Sequence, residues 1–295
     1  MLILKGEKVM NNLESIAKMI EERVNCKEVK IEEITKVNDT RRVCVNIFKE
    51  GSCIAPAIYI EHMIGESSDE DIVDYVVEIY KHEVENGIDN ISAAVNGIYS
   101  YEKIKDYLGL RLMNLELNRH FLKDIQYKKF LDLAAVVYIE FDAGSDAEYG
   151  VKVNNELLDI WGMAFDDVYQ YAFENTIRPN IIIRSLDSIF SDMEFNNDPT
   201  NFMSQTYIAT NKKGINGSYA MLNEQGLKDF LHYMEWSKAI VIPSSVHEIL
   251  LMEYDERNAS FVDEMIRDVN RLEVRDNEIL SDHHYIFSLF DGWEF

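Results

Sequence analysis

The chain has 295 residues, with 53 acidic against 29 basic side chains and a formal net charge of −24. Hydrophobic residues make up 47% of it, which is enough for a folded core and excludes a disordered chain. With 3 Cys, 13 Gly and 4 Pro, a disulfide scaffold, an all-cysteine zinc site and a collagen-like or low-complexity chain are excluded as well.

The chain opens on an amphipathic pattern. Leu13, Ile16, Ala17, Ile20 and Val24 recur at helical spacing and predict a helix over residues 11–24. Lys5-Gly6-Glu7 can be encoded by a purine-rich ribosome-binding sequence ahead of Met10, so translation from Met10 and a genuine short extension are both open readings. Residues 29–37 and 41–48 read as two strands joined by a turn at Asn38-Asp39. Val43, Val45 and Ile47 alternate with Arg42, Cys44 and Asn46, the period of a half-buried strand. Residues 57–63 give a third strand, with Pro56 at its start.

Ser67-Ser68-Asp69-Glu70-Asp71 offers hydroxyl caps followed by first-turn carboxylates, so a helix starts there. Ile72, Val73, Val76, Val77, Tyr80 and Val84 form its apolar face, and Gly87 ends it. A helical piece over residues 101–107 leads to Leu108, Leu110 and Leu112, which alternate like a strand. Leu117, Phe121 and Leu122 fit a helix, and both readings of that segment stay open. Residues 133–141, β-branched and aromatic, form a central strand. It turns at Ala143-Gly144-Ser145-Asp146 into a hairpin with residues 148–153. Asn154 or Asn155 caps a short helix burying Leu157, Leu158 and Trp161, and another helix covers residues 165–175. Residues 181–193 are expected to be helical and Asn196-Asn197-Asp198-Pro199 to be a loop.

Residues 203–210 read as a strand, 211–217 as a hairpin loop and 218–222 as the returning strand. Asn223 caps a helix that buries Leu227, Phe230, Leu231 and Met234. Residues 239–242 and 246–254 read as strands, bent at Pro243-Ser244-Ser245. Phe261, Val262, Met265, Ile266, Val269 and Leu272 mark a last amphipathic helix, and residues 285–290 a closing strand. There is no internal repeat and no regular βαβ rhythm. The fold class expected is α+β, with mixed, largely antiparallel sheets and flanking amphipathic helices. Two lobes are expected, over residues 10–125 and 126–295.

The acidity is uneven: residues 1–50 carry a net +1, 51–100 a net −9, 151–200 a net −6 and 251–295 a net −8. Such a field repels nucleic acid and anionic membrane and suits a basic protein, although solubility alone accounts for it too. No apolar run approaches the ~20 residues of a membrane helix, and the apolar start is too short for a signal peptide. With free Cys26, Cys44 and Cys53, a cytoplasmic location is expected.

The motifs of chemistry are mostly missing. The chain has no G-x-G-x-x-G, no G-x-x-x-x-G-K-[ST] and no G-x-S-x-G. His82-Glu83 and His247-Glu248 begin like a zinc H-E-x-x-H, but Asn86 and Leu251 stand at the fifth positions. Asp192 to Asp198 lacks the glycine and spacing of an EF-hand. His283-His284 beside Asp282 are adjacent and point apart, a poor chelate. The densest chemistry is Ser244-Ser245-Val246-His247-Glu248. On a strand, Ser245 and His247 would share a face and could form a nucleophile–base pair. The preferred reading is that the serines satisfy backbone groups while His247 bonds across the sheet.

Four segments together carry a resemblance: Arg111 to Asn118, Phe130 to Val136, Thr210-Asn211 through Gly217, and Ile242 to Glu248. They resemble a domain-of-unknown-function family of about 300-residue proteins from anaerobic gut Firmicutes. Ala209 departs from the Leu more usual before Thr-Asn in that family. The resemblance implies fold and compartment and carries no activity. The function expected is that of an uncharacterised cytoplasmic accessory protein, non-catalytic and binding another protein through acidic and aromatic surface. The alternatives are a small-molecule hydrolase centred on Ser245, His247 and Glu248, and an acidic nucleic-acid mimic that inhibits a basic partner. No metal, cofactor or membrane is expected.

Overall fold

Leu13, Ile16 and Ile20 fall on the buried side of a helix, α1 (Glu7–Glu21), in a computed structural model that describes residues 7–48, 55, 57–85, 97–142, 148–178, 181–189 and 206–294. The helix starts and ends a few residues earlier than its apolar spacing predicts. The chain divides into two compact units, Met1–Lys103 with Phe141–Tyr149, and Ile104–Glu140 with Gly150–Phe295.

In the first unit, α1 and α2 (Asp69–Glu85) share a core with the antiparallel sheet β1-β2-β3, made of Glu28–Thr35, Arg41–Phe48 and Ala57–Tyr59. Val43, Val45 and Ile47 meet Ile16, Ile20, Val73 and Val76 there. Each such side chain contributes about 1.5–3 kcal/mol by leaving water. The turn between β1 and β2 holds Asn38 and Asp39 at φ 58° and 49°, the left-handed region these two residue types tolerate best. The third strand stops at Tyr59 rather than running on to Met63, because the chain turns over residues 61–66. β2 is buried on both faces at Cys44 and Asn46, not on one. Asn46 stays satisfied there by donating to Glu32 Oε1 at 2.7 Å. At the start of α2, the Ser68 hydroxyl accepts the Asp71 N–H. The Asp71 carboxylate in turn accepts the Ser68 N–H and O–H, a reciprocal cap. Those bonds hold the Asp71 carboxyl below its ordinary range. Pro56 and Gly87 lie outside the described residues.

The second unit holds two sheets. In one, β4 (Leu108–Asn114) and β5 (Tyr127–Phe130) flank β6 (Leu133–Asp142), and β7 (Glu148–Lys152) also pairs with β6. This decides the segment left open above: Leu108 to Leu112 are strand, and residues 115–124 form turns. After β7, Asn154 accepts the Leu157 N–H at 3.0 Å and caps a helix over Asn155–Trp161, of which Trp161 is half-buried. The next helix, Phe165–Ile177, covers the free edge of β4. Thr176 Oγ1 accepts the Leu110 N–H at 2.8 Å, and Asn175 Nδ2 donates to the carbonyls of Lys105 and Leu108. An edge whose groups are taken in this way offers no template for another strand.

The other sheet is six-stranded and wholly antiparallel, in the order β13-β12-β10-β11-β9-β8. Its strands are β8 (Ile182–Ser185), β9 (Thr206–Thr210), β10 (Lys238–Ile242), β11 (Ile249–Glu253), β12 (Tyr285–Ser288) and β13 (Gly292–Glu294). Two expectations are corrected here. Residues 182–185 are strand, followed by a short helical turn over Leu186–Ile189; residues 190–193 lie outside the described residues. The β-branched pair Ile182-Ile183 joins β9 instead of coiling. Residues 218–222 are not a returning strand but a 3-10 helix, Gly217–Leu222. β9 has β8 on one side and β11 on the other, so neither edge is left for it. The loop expected at residues 196–199 lies outside the described residues.

Asn223 accepts the Gly226 N–H and caps the helix Glu224–Tyr233, which buries Leu227 and Leu231. Half-buried Phe230 packs edge-on against Tyr207 and Trp236. The last long helix, Glu256–Leu272, is capped by Asp255 and packs Val262 and Ile266 on Ile240, Ile242 and Met252.

Candidate functional site

Residues 243–248 join β10 to β11, just beyond the pair Ile242–Leu250. The expectation of a continuous strand from residue 246 is corrected: β11 begins at Ile249, and Ser245 to His247 have no strand geometry. The reason is hydrogen bonding within the loop. Ser245 is buried, accepts the His247 N–H at 3.0 Å and donates to Glu248 Oε1 at 2.8 Å. Ser244 donates to the same carboxylate oxygen at 3.2 Å. The Val246 N–H goes to the Glu278 carbonyl at 2.9 Å, away from the sheet ladder. Short side-chain bonds of this type compete with strand pairing.

A second loop meets this one. Asn211 organises residues 211–217, accepting the N–H groups of Lys213 and Gly214 and donating to the Ile215 carbonyl. The His247 carbonyl takes two donors from it, Thr210 Oγ1 at 2.7 Å and Gly217 N–H at 2.9 Å. The Asn216 N–H donates to His247 Nδ1 at 3.1 Å, which makes Nδ1 an acceptor. His247 Nε2 lies 3.7 Å from Glu278 Oε1, and the side chain is 28% exposed, half-buried rather than deeply buried.

The structure thus brings Ser245, His247 and Glu248 into one loop but does not couple the hydroxyl to the imidazole. Ser245 is engaged by Glu248, His247 by Asn216 and Glu278. A Ser–His pair needs the hydroxyl hydrogen-bonded to the imidazole, and here it donates to a carboxylate instead. What the arrangement does is lock two loops onto the ends of β9, β10 and β11.

A second polar cluster lies around the start of β12, and the sequence reading missed its connections. The Tyr285 hydroxyl donates to Asp132 Oδ1 at 2.6 Å. Burial pushes that phenol well above its ordinary value, and the Asp132 carboxylate pushes it further. His283 sits between two carboxylates, with Nε2 3.5 Å from Asp132 Oδ2 and Nδ1 3.0 Å from Asp282 Oδ1. His284 turns to another carboxylate: its N–H and its Nδ1 lie 2.9 and 2.6 Å from Asp263 Oδ1. Burial opposes the charge on Asp263, but these bonds outweigh it and hold the carboxyl below its ordinary value. The adjacent histidines serve different partners. Among the described residues no group of three or more His, Cys, Asp or Glu is placed to hold a metal ion.

The four family-like segments meet in pairs. Arg111 to Asn118 and Phe130 to Val136 contribute to β4 and β6, paired from Arg111–Val136 to Asn114–Leu133. Thr210 to Gly217 and Ile242 to Glu248 are the two loops locked at the His247 carbonyl. Three antiparallel sheets with flanking helices make the described residues an α+β fold. The chain belongs to a family of unknown function, DUF5688, whose model matches residues 8–289. No curated protein and no solved structure matches it.

Proposed function

We propose that the chain is a cytoplasmic, non-catalytic accessory protein that works by binding another protein. The observation that carries this reading is the bonding of Ser245, whose buried hydroxyl donates a hydrogen bond to Glu248 and accepts the His247 N–H. That leaves the Ser245 hydroxyl without a bond to the His247 imidazole, so the segment holds no Ser–His pair. Binding is supported by large apolar side chains left in solvent, among them Tyr233 at 83% and Phe290 at 81% exposure. The location is supported by the free thiols Cys26 and Cys44. No helix among the described residues is long and apolar enough to cross a membrane.

The test compares the wild type with Ser245→Ala and His247→Ala against a panel of ester, amide and phosphate substrates, with melting measured in parallel. Lower melting temperatures in both variants and no wild-type turnover are expected. Turnover that vanishes in both variants while melting is unchanged would replace this reading with a hydrolase centred on Ser245, His247 and Glu248.

A further inference from the structure

The apolar face of the helix Glu256–Leu272 is wider than its contact with the core. Val262 and Ile266 pack on the sheet. Phe261, Val269 and Leu272 stand 57%, 44% and 70% exposed. Their spacing places them along a stripe beside the packed face, with Met265, which itself packs on the core, between them. An amphipathic helix needs one apolar stripe to hold it to its own core. The second stripe runs for about 17 Å, eleven residues at the helical rise.

We propose that this stripe docks a basic, amphipathic helix of a partner protein. The inference rests on the protein-binding reading above and names its surface and the partner's chemistry. Charge decides the occupant. On the solvent side of the stripe, Arg257 pairs with Asp255 and Arg271 with Asp268, so those charges are matched. Glu264 on the rim, and Glu256 and Glu273 at the two ends, are exposed and make no ion pair among the described residues. The helix with its flanking residues, 255–273, holds six acidic side chains against Arg257, Arg267 and Arg271. A helix whose apolar anchors are flanked by Lys or Arg matches both features. A second copy does not, since it would bring another chain of net charge −24 against the same acidic rim.

The experiment titrates the full chain with two synthetic helical peptides of about 18 residues, long enough to cover the stripe. Both carry the same leucine stripe; one is flanked by lysines and the other by glutamates. The lysine peptide is expected to bind with one-to-one stoichiometry and to weaken as salt rises. The double variant Phe261→Ser with Leu272→Ser should weaken it at least roughly ten-fold while melting and circular dichroism stay as in the wild type. Equal binding by wild type and variant, or equal binding of both peptides, would overturn the proposal. So would a wild-type dimer that the double variant abolishes, because it gives the stripe to a second copy. A partner cross-linked equally by wild type and variant would overturn this surface and leave the protein-binding reading standing. Wild-type turnover lost in the Ser245 and His247 variants would overturn that reading itself.

Discussion

A Cβ on Gly217 would stand 2.2 Å from the hydroxyl oxygen of Thr210, which is closer than any two such atoms can approach. The same Cβ would lie 2.7 Å from the His247 carbonyl oxygen and 2.8 Å from the Asn211 nitrogen. Two of these three neighbours are backbone, so no rotamer change relieves the clash. Gly217 is therefore required by close approach: its N–H and the Thr210 hydroxyl converge on one carbonyl. Gly217→Ala should destabilise the fold by about 3 kcal/mol, because the two loops must separate. Urea denaturation of the variant measures it, and a stability equal to the wild type would show that the junction yields easily.

Ser245→Ala removes the acceptor of the His247 N–H and a donor to Glu248. Leaving buried polar groups unmet costs about 1–3 kcal/mol. Ser244→Ala removes only the longer bond to the same carboxylate, from a less buried side chain. It should cost less. Reversal of that order in thermal melts would assign the main support of Glu248 to Ser244.

Thr176→Val keeps the shape of the side chain and deletes its oxygen. The Leu110 N–H, buried at the edge of β4, then has no acceptor from the helix that covers it. A loss of about 1–3 kcal/mol is expected, together with faster hydrogen exchange at the Leu110 amide. Unchanged exchange would mean that this edge is protected by packing rather than by the bond.

The depressed carboxyl of Asp263 makes stability depend on acid. A group whose folded value lies below its unfolded value stabilises the fold above the unfolded value, about pH 4, and ceases to as pH falls through the folded one. Asp263→Asn should thus melt below the wild type at neutral pH, with the gap closing as the solution is acidified past pH ~4. The carboxylate is 37% exposed, so salt should shrink the gap. A gap that persists unchanged to about pH 2 would mean that Asn cannot replace the shape, not the charge, of the residue.

The sequence by itself determines the elements whose signals are local. Ser68 with Asp71, Asn154 and Asn223 cap the helices their chemistry announces, because a cap needs only residues within one turn. The alternation of Val43, Val45 and Ile47 and the helical spacing of Leu13, Ile16 and Ile20 likewise point to the side that is buried. The second face of β2 was hidden, since Cys44 and Asn46 read as the wet side until tertiary contacts buried them.

Only the tertiary structure decides what depends on a distant neighbour. Ile182 to Ser185 become strand because β9 offers its hydrogen bonds, and Gly217 to Leu222 do not because β9 has none left to offer. Tyr285 finds Asp132 across 153 residues, a partnership no local pattern encodes. The same holds at the candidate site. Ser245, His247 and Glu248 stand out in the sequence, but the contacts of His247 with Asn216 and Glu278 follow from how distant segments meet. A side chain's chemistry belongs to the sequence. Which proton it holds depends on the atoms that folding sets beside it.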